Sequence, residues 1–185
     1  NMLYGTIYGD VAGSMYEFRS VKDYNFTSVP KGSHFTDDTV MTLAVAKWLM
    51  NDGWGDEGLV EAMQEMGKAY PKAGYGGMFR KWLASENPKP YNSFGNGSAM
   101  RVAPCAWIAD TLATAEALAR VSAEVTHNHP EGIKGAQAVA AAIWMAKEGY
   151  GKCEIKDYIT KTYGYNLNRT VQEIKDSGYK FDSTC

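Results

Sequence analysis

Three adjacent hard oxygen donors, Thr36, Asp37 and Asp38, stand directly before Thr39 and a long apolar run. Hydroxyl and carboxylate oxygens are the ligand types that suit Mg²⁺ or Mn²⁺ rather than zinc. The same tetrapeptide also reads as a helix start. Threonine can cap the free amides, acids in the first turn suit the helix dipole, and that reading needs no metal. Residues 40–50 behind it are apolar almost all round, which predicts a buried helix with a buried N-terminus. Unpaired carboxylates are expensive there and call for a cation or for donors.

A second pair of acids, Asp10 and Glu17, lies seven residues apart. In a continuous helix they share a face, about 10 Å apart along the axis. They read either as two carboxylates aimed one way or as solvated surface acids, the commoner state of such residues. Gly5, Gly9 and Gly13 recur at every fourth position of the same segment. Each lowers helix propensity by about 1 kcal/mol relative to alanine, so the spacing predicts a neighbouring backbone packed close against them.

The segment Ser93-Phe94-Gly95-Asn96-Gly97-Ser98-Ala99-Met100-Arg101 places two glycines around an asparagine, with helical sequence following. Exposed amides and a helix start can cradle a phosphate, and Arg101 can add charge. A glycine turn before a helix is also a common structural device. Thr126-His127-Asn128-His129-Pro130-Glu131-Gly132 holds two of the three histidines. No cysteine or further histidine stands at zinc spacing. His129 reads as an N-cap or surface residue, and His127 as a hydrogen-bonding group in a pocket.

These residues must be positioned by helices, since helical spacing recurs through most of the chain and sustained alternation is absent. We predict helices over residues 3–17, from Thr36 to Met50 with Asn51, Asp52 and Gly53 ending it, and over 57–69, 78–84, 112–125, 130–147, 155–163 and 169–176. A further helix follows Ser98 and bends near Pro104. In the alanine-rich helix after Pro130, Val139, Ile143 and Trp144 are the expected large buried groups. Residues 20–35 and 88–97 read as long loops, which in a compact helical domain are more often functional than structural. The expected fold is an all-α, compact orthogonal helical bundle.

Composition bounds the function. The chain of 185 residues carries 19 basic and 21 acidic residues, for a formal net charge of -2. Without a basic surplus, nucleic acid is excluded as the main partner. Apolar stretches fall short of the roughly 18 residues of a membrane span. The first ten residues lack a basic region followed by an apolar run. Three scattered cysteines, Cys105, Cys153 and Cys185, suit reduced thiols, so a cytoplasmic setting is expected.

Taken together, Gly9 to Glu17, Phe35 to Met41, Gly95 to Arg101 and Thr126 to Gly132 resemble the ADP-ribosylglycohydrolase family, in its motif order and at compatible separations. The resemblance covers the chain from Leu3 to Cys185. It implies an all-helical fold with two Mg²⁺ or Mn²⁺ ions at the base of a cleft. The activity it implies is hydrolysis of the bond between ADP-ribose and an acceptor, an ADP-ribosylated protein or a small molecule containing ADP-ribose. Carried onto this sequence, it makes Thr36, Asp37 and Asp38 metal ligands and Glu17, with Asp38, the catalytic carboxylates. Gly95, Asn96, Gly97 and Ser98, with Arg101, become the pyrophosphate cradle, and His127 and Tyr75 line the ribose or adenine pocket. The alternative is an ADP-ribose-binding or structural helical domain without turnover.

One departure stands out. The family's late Asp-x-Asp-Thr or Asp-x-Asp-Ser motif has no counterpart, since Asp182-Ser183-Thr184 lacks the second aspartate. The expectation is therefore a single domain, 1–185, forming the N-terminal portion of a longer protein. Its metal site would be incomplete and its own activity doubtful. Its apolar face would seek self-association or the missing C-terminal segment.

Overall fold

The computed structural model describes residues 3–19, 21–51, 55–180 and 182–185. Among the described residues nine α-helices run in order: α1 (Tyr4–Gly13), α2 (Asp37–Met50), α3 (Asp56–Ala69), α4 (Gly77–Ala84), α5 (Ala103–Ile108), α6 (Leu112–Glu124), α7 (Pro130–Lys147), α8 (Lys152–Tyr163) and α9 (Val171–Asp176). A 3-10 turn, Asn96–Ser98, precedes α5. Among the described residues the only β pairing is an isolated bridge between Gly95 and Thr184. The fold is all-α, as expected.

Helix α2 is the centre of the larger core. Val40, Met41, Ala44, Val45, Trp48 and Leu49 are buried against Leu59 and Met63 of α3 and against Phe79, Trp82 and Leu83 of α4. Burying each large side chain is worth about 1.5–3 kcal/mol, so this cluster anchors the N-terminus of α2 as well as its body. Asn51 caps its end; Asp52 and Gly53, expected to end it too, lie outside the described residues.

The second core is built from small residues. Ala119 and Ala123 of α6, Ala136 and Ala140 of α7, and Val102 and Ala106 beside them are all fully buried. Alanine faces let α6 and α7 run side by side, with α5 packed on both. The larger groups expected to fill α7 sit differently: Val139 is exposed, and Ile143 and Trp144 only flank the alanine core. Pro130 occupies the first turn of α7, and the side chain of His129 caps it by accepting the Glu131 N–H at 3.1 Å. Pro104 likewise sits in the first turn of α5 and starts that helix rather than bending it.

Helix α1 ends at Gly13, four residues before the expected limit, and residues 14–18 form turns. Among the described residues a Cβ placed on Gly5, Gly9 or Gly13 would meet nothing within 4 Å, so no described backbone packs against them. Gly9 and Gly13 instead line a cavity. None of the described helices is long and apolar enough to cross a membrane. Cys105 is buried and free, and Cys153 and Cys185 are free as well.

Candidate active site

The site is organised by a carboxylate whose partners lie 26 and 29 residues away in the chain. Asp10, in the last turn of α1, faces the first turn of α2. It accepts the Thr36 N–H at 2.8 Å and the Thr36 hydroxyl at 2.6 Å. It also accepts the Thr39 N–H at 3.2 Å and the Thr39 hydroxyl at 2.5 Å. Asp10 thus satisfies helix-end donors that have no partner inside α2. Thr36 caps the helix as expected, its hydroxyl oxygen accepting the Asp38 N–H at 3.3 Å.

Asp37 and Asp38 stand half-buried at the same helix end. Burial, and then the neighbouring Asp38 carboxylate, push Asp37 up to about 7. Burial, and then Asp10, raise Asp38 above the usual carboxylate range. Glu17 returns to the same place through the turn after α1. Partial burial raises it, followed by Asp38 and Asp10. The seven-residue spacing from Asp10 therefore works through a turn, not through a continuous helix.

Asp10, Glu17, Thr36, Asp37 and Asp38 line one cavity of about 940 Å³, shared with Tyr91, Phe94, Gly95, Asn96, Gly97 and His127. That is the size of a small-molecule site. Among the described residues its lining holds four carboxylates and neither lysine nor arginine. The donors are hard oxygens, and the carboxyls of Glu17, Asp37 and Asp38 are raised first by burial and then by neighbouring carboxylates. That chemistry fits Mg²⁺ or Mn²⁺. Among the described residues no three His, Cys, Asp or Glu side chains are placed to hold an ion together. The threonine oxygen and further donors would have to complete a coordination shell.

The glycine segment differs in detail from the expected phosphate cradle. The Gly95 N–H is engaged by the Ser93 hydroxyl at 3.2 Å, and the Asn96 N–H by the Ser183 carbonyl at 2.8 Å. Asn96 lies in the 3-10 turn; the left-handed backbone falls at Asn92 instead, with φ 53°. Ser98 is fully buried and donates to the Gly132 carbonyl at 2.8 Å, away from the cavity lining. What the glycines admit is a ring. A Cβ on Gly97 would sit 3.1 Å from His127 Cε1 and Nε2, and one on Gly132 would sit 3.1 Å from His127 Cβ.

Two expected ligand groups turn inward. Arg101 is buried, 1% exposed. It donates to the Ser122 hydroxyl at 3.3 Å, to the Ser122 carbonyl, and to the Thr126 hydroxyl at 2.9 Å. Burial pulls its guanidinium down to about 10, so it stays charged at neutral pH without reaching the cavity. The turns that follow the 3-10 segment point it into the core. Tyr75 packs in the α2 core against Phe79, outside the cavity lining. Burial, and then Asp37, raise its hydroxyl to about 12. Its neighbours Gly74, Gly76 and Gly77 line the cavity in its place.

Tyr91 joins the site without a distinct sequence signal, and Phe94, Ser183 and Thr184 line it from segments read for other features. The C-terminal residues arrive through long-range pairing, with the Cys185 N–H donating to the Phe94 carbonyl at 2.9 Å. Tyr91 is held by its N–H to the Thr126 carbonyl at 3.2 Å, and Asn92 by its N–H to Asn128 Oδ1 at 2.8 Å.

The fold and the site define an all-helical protein with an acidic, threonine-capped cavity beside a glycine-and-histidine wall. The chain belongs to the ADP-ribosylglycohydrolase family, whose profile matches residues 1–180. It is similar to the ADP-ribosylhydrolase ARH3 of Homo sapiens, 30% identical over 213 residues, in a match covering 95% of this chain and 57% of that protein. The ADP-ribosylhydrolase ARH3 of Bos taurus is 29% identical over 210 residues, covering 95% of this chain and 56% of its own. A solved chain titled "ADP-ribosylglycohydrolase-related protein complex" superposes with a TM-score of 0.66 at 22% identity, over 90% of this chain and 61% of that one. This last likeness shows the fold. The chain spans little more than half the length of the curated relatives it matches.

Proposed function

We propose that this protein takes part in divalent-metal-dependent hydrolysis of the glycosidic bond linking ADP-ribose to an acceptor. The acceptor is an ADP-ribosylated protein or a small molecule containing ADP-ribose. The observation that carries the reading is the shared cavity, in which Glu17, Thr36, Asp37 and Asp38 face the same space as Gly95, Gly97 and His127. Family membership supplies the substrate class, as do relatives named ADP-ribosylhydrolase.

Thr36, Asp37 and Asp38 would hold Mg²⁺ or Mn²⁺, two ions in the complete site. When bound, these ions supply polarisation of ribose hydroxyls or of a water. Glycosidic cleavage through an oxocarbenium-like transition state needs proton transfer. Glu17 is the assigned acid/base group, because its raised carboxyl exchanges protons nearer neutral pH than a solvated glutamate does. Asp38 is the second catalytic carboxylate and holds negative charge beside it. Tyr91 and Phe94 line the same cavity and are aromatic side chains available to the adenine, while Gly95, Asn96, Gly97 and His127 border the pyrophosphate.

Titration with ADP-ribose, with and without Mg²⁺, combined with release of ADP-ribose from a modified acceptor, tests the reading. Metal-linked turnover supports it. Binding without turnover would make the protein a binding module, and neither would leave a structural domain.

A further inference from the structure

We infer that Arg101 is a positioning residue: acting through Thr126, it sets His127 in the tautomer whose Nδ1 accepts a hydrogen bond and whose Nε2 carries the proton at the cavity wall. The inference deepens the proposed ADP-ribose reading and rests on it for what Nε2–H contacts. The tautomer itself is independent of that reading.

Donor accounting carries it. A guanidinium has only donors, so the 2.9 Å contact between Arg101 and the Thr126 hydroxyl oxygen runs from arginine to threonine. The hydroxyl then keeps one proton to give. His127 Nδ1 lies 2.7 Å away and is its partner. The opposite arrangement, with the proton on Nδ1, spends that proton on an oxygen already accepting from Arg101. It also strands the hydroxyl proton of Thr126, which is 0% exposed. Unmade bonds in such a place are costly. The doubly protonated ring is disfavoured as well: burial, and then the Arg101 charge, pull His127 down to about 3.

Packing holds the ring at the wall. Gly97 and Gly132 leave room that any side chain would fill, and the Tyr91 ring lies 5.9 Å from the imidazole. Nε2 makes no hydrogen bond to any described residue, while His127 lines the cavity. A neutral N–H is thus offered to an acceptor oxygen of the bound ADP-ribosyl group. Ser122 fixes the far side of the relay by taking two donors of Arg101.

The test is two-bond ¹H–¹⁵N NMR on histidine-labelled protein near neutral pH, read alongside ADP-ribose affinity. The expected result for wild type is a neutral His127 with the proton on Nε2. Thr126→Val, of nearly the same shape, should release the tautomer and weaken ADP-ribose binding about tenfold, the scale of one oriented hydrogen bond. Thr126→Ser should restore both. Arg101→Met should release the tautomer and Arg101→Lys should keep it. Should a thermal melt show Arg101→Met unfolded, Thr126→Val decides. A wild-type ring protonated on Nδ1 or on both nitrogens overturns the inference, as does an unchanged spectrum in folded Thr126→Val or Arg101→Met. Wild-type protein with the expected tautomer that does not bind ADP-ribose would overturn the functional reading and leave the tautomer assignment standing.

Discussion

The Asp10 carboxylate holds Thr36 by two bonds at once, accepting its N–H at 2.8 Å and its hydroxyl at 2.6 Å. The contact joins residues 26 apart in the chain and ties α1 to the start of α2. It also fixes the oxygen of a proposed metal ligand.

Asp10→Ala removes the acceptor of the Thr36 and Thr39 N–H groups and of the Thr39 hydroxyl, and leaves the Thr36 hydroxyl only Asp38 Oδ2 at 3.2 Å; both threonine side chains are buried. We expect a loss of about 1–3 kcal/mol, the cost of leaving buried donors unmade. Asp10→Asn keeps one carbonyl oxygen and should lose less. Urea unfolding of both variants checks this. Equal stability of Asp10→Ala and wild type would show that water replaces the carboxylate.

Asp37 contributes a pH dependence of definite sign. Its carboxyl is raised from 3.8 to about 7 by burial and by Asp38. Between those values the folded state keeps a proton that the unfolded chain has released. Its contribution to stability therefore falls as pH rises through this window and levels off above it. Asp38 and Glu17 are raised too and act in the same direction. His127, pulled down from 6.5 to about 3, acts the other way below its ordinary value, so the share of Asp37 is read against a variant that lacks it. In chelator-containing buffer, raising the pH from 5 to 8 should lower the melting temperature of wild type relative to that of Asp37→Asn. A difference between wild type and Asp37→Asn that moves the opposite way over this interval contradicts the assignment.

A divalent ion should do for these carboxylates what the proton does at low pH. Calorimetry on the chelator-treated protein should show Mg²⁺ or Mn²⁺ binding that disappears in the double variant Asp37→Ala plus Asp38→Ala. The same ions should raise the melting temperature more at pH 8 than at pH 5, because at pH 5 protons compete for the oxygens. Binding unchanged in the double variant would remove Asp37 and Asp38 from the proposed metal site.

Much of this was readable from local pattern, and the remainder was not for a physical reason. Thr36 before two acids and an apolar run marks the start of α2, and His129 before Pro130 marks the start of α7, because caps act within one turn. Arg101 beside Gly95-Asn96-Gly97 looks equally local. Its direction depends on the turns after Ser98 and on a buried space between Ser122 and Thr126, which no nearby residue reveals. Asp10 stands out as an acid, but its contact with Thr36 spans 26 residues, which local pattern does not show. Tyr75 goes to the core because Phe79 and the apolar face of α2 are there to receive it.

Glu17 should matter for turnover more than for binding. Glu17→Gln keeps the shape and removes the exchangeable proton. Release of ADP-ribose from a modified acceptor should slow by about 10²-fold or more, the usual range for an acid–base group. ADP-ribose affinity should change little. Unimpaired turnover in this variant would move the proton-transfer role elsewhere in the cavity.

Two glycines separate space needed by the site from space left over. A Cβ on Gly97 would lie 3.1 Å from two atoms of the His127 ring, whereas one on Gly5 would meet nothing within 4 Å. Gly5 is inside α1, where alanine is the better helix former by about 1 kcal/mol. Gly5→Ala should therefore stabilise the protein slightly and leave ADP-ribose affinity alone. At Gly97 something has to give. The ring is held through Thr126 at 2.7 Å, and Thr126 in turn by Arg101. The glycine loop should therefore shift, carrying Gly95 and Asn96 with it. We expect Gly97→Ala to weaken ADP-ribose binding about tenfold, or about 1.4 kcal/mol. Calorimetry with ADP-ribose and a thermal melt on each variant make the comparison. Full affinity in Gly97→Ala would show that the wall beside His127 yields without cost and that its glycine is not required for the site.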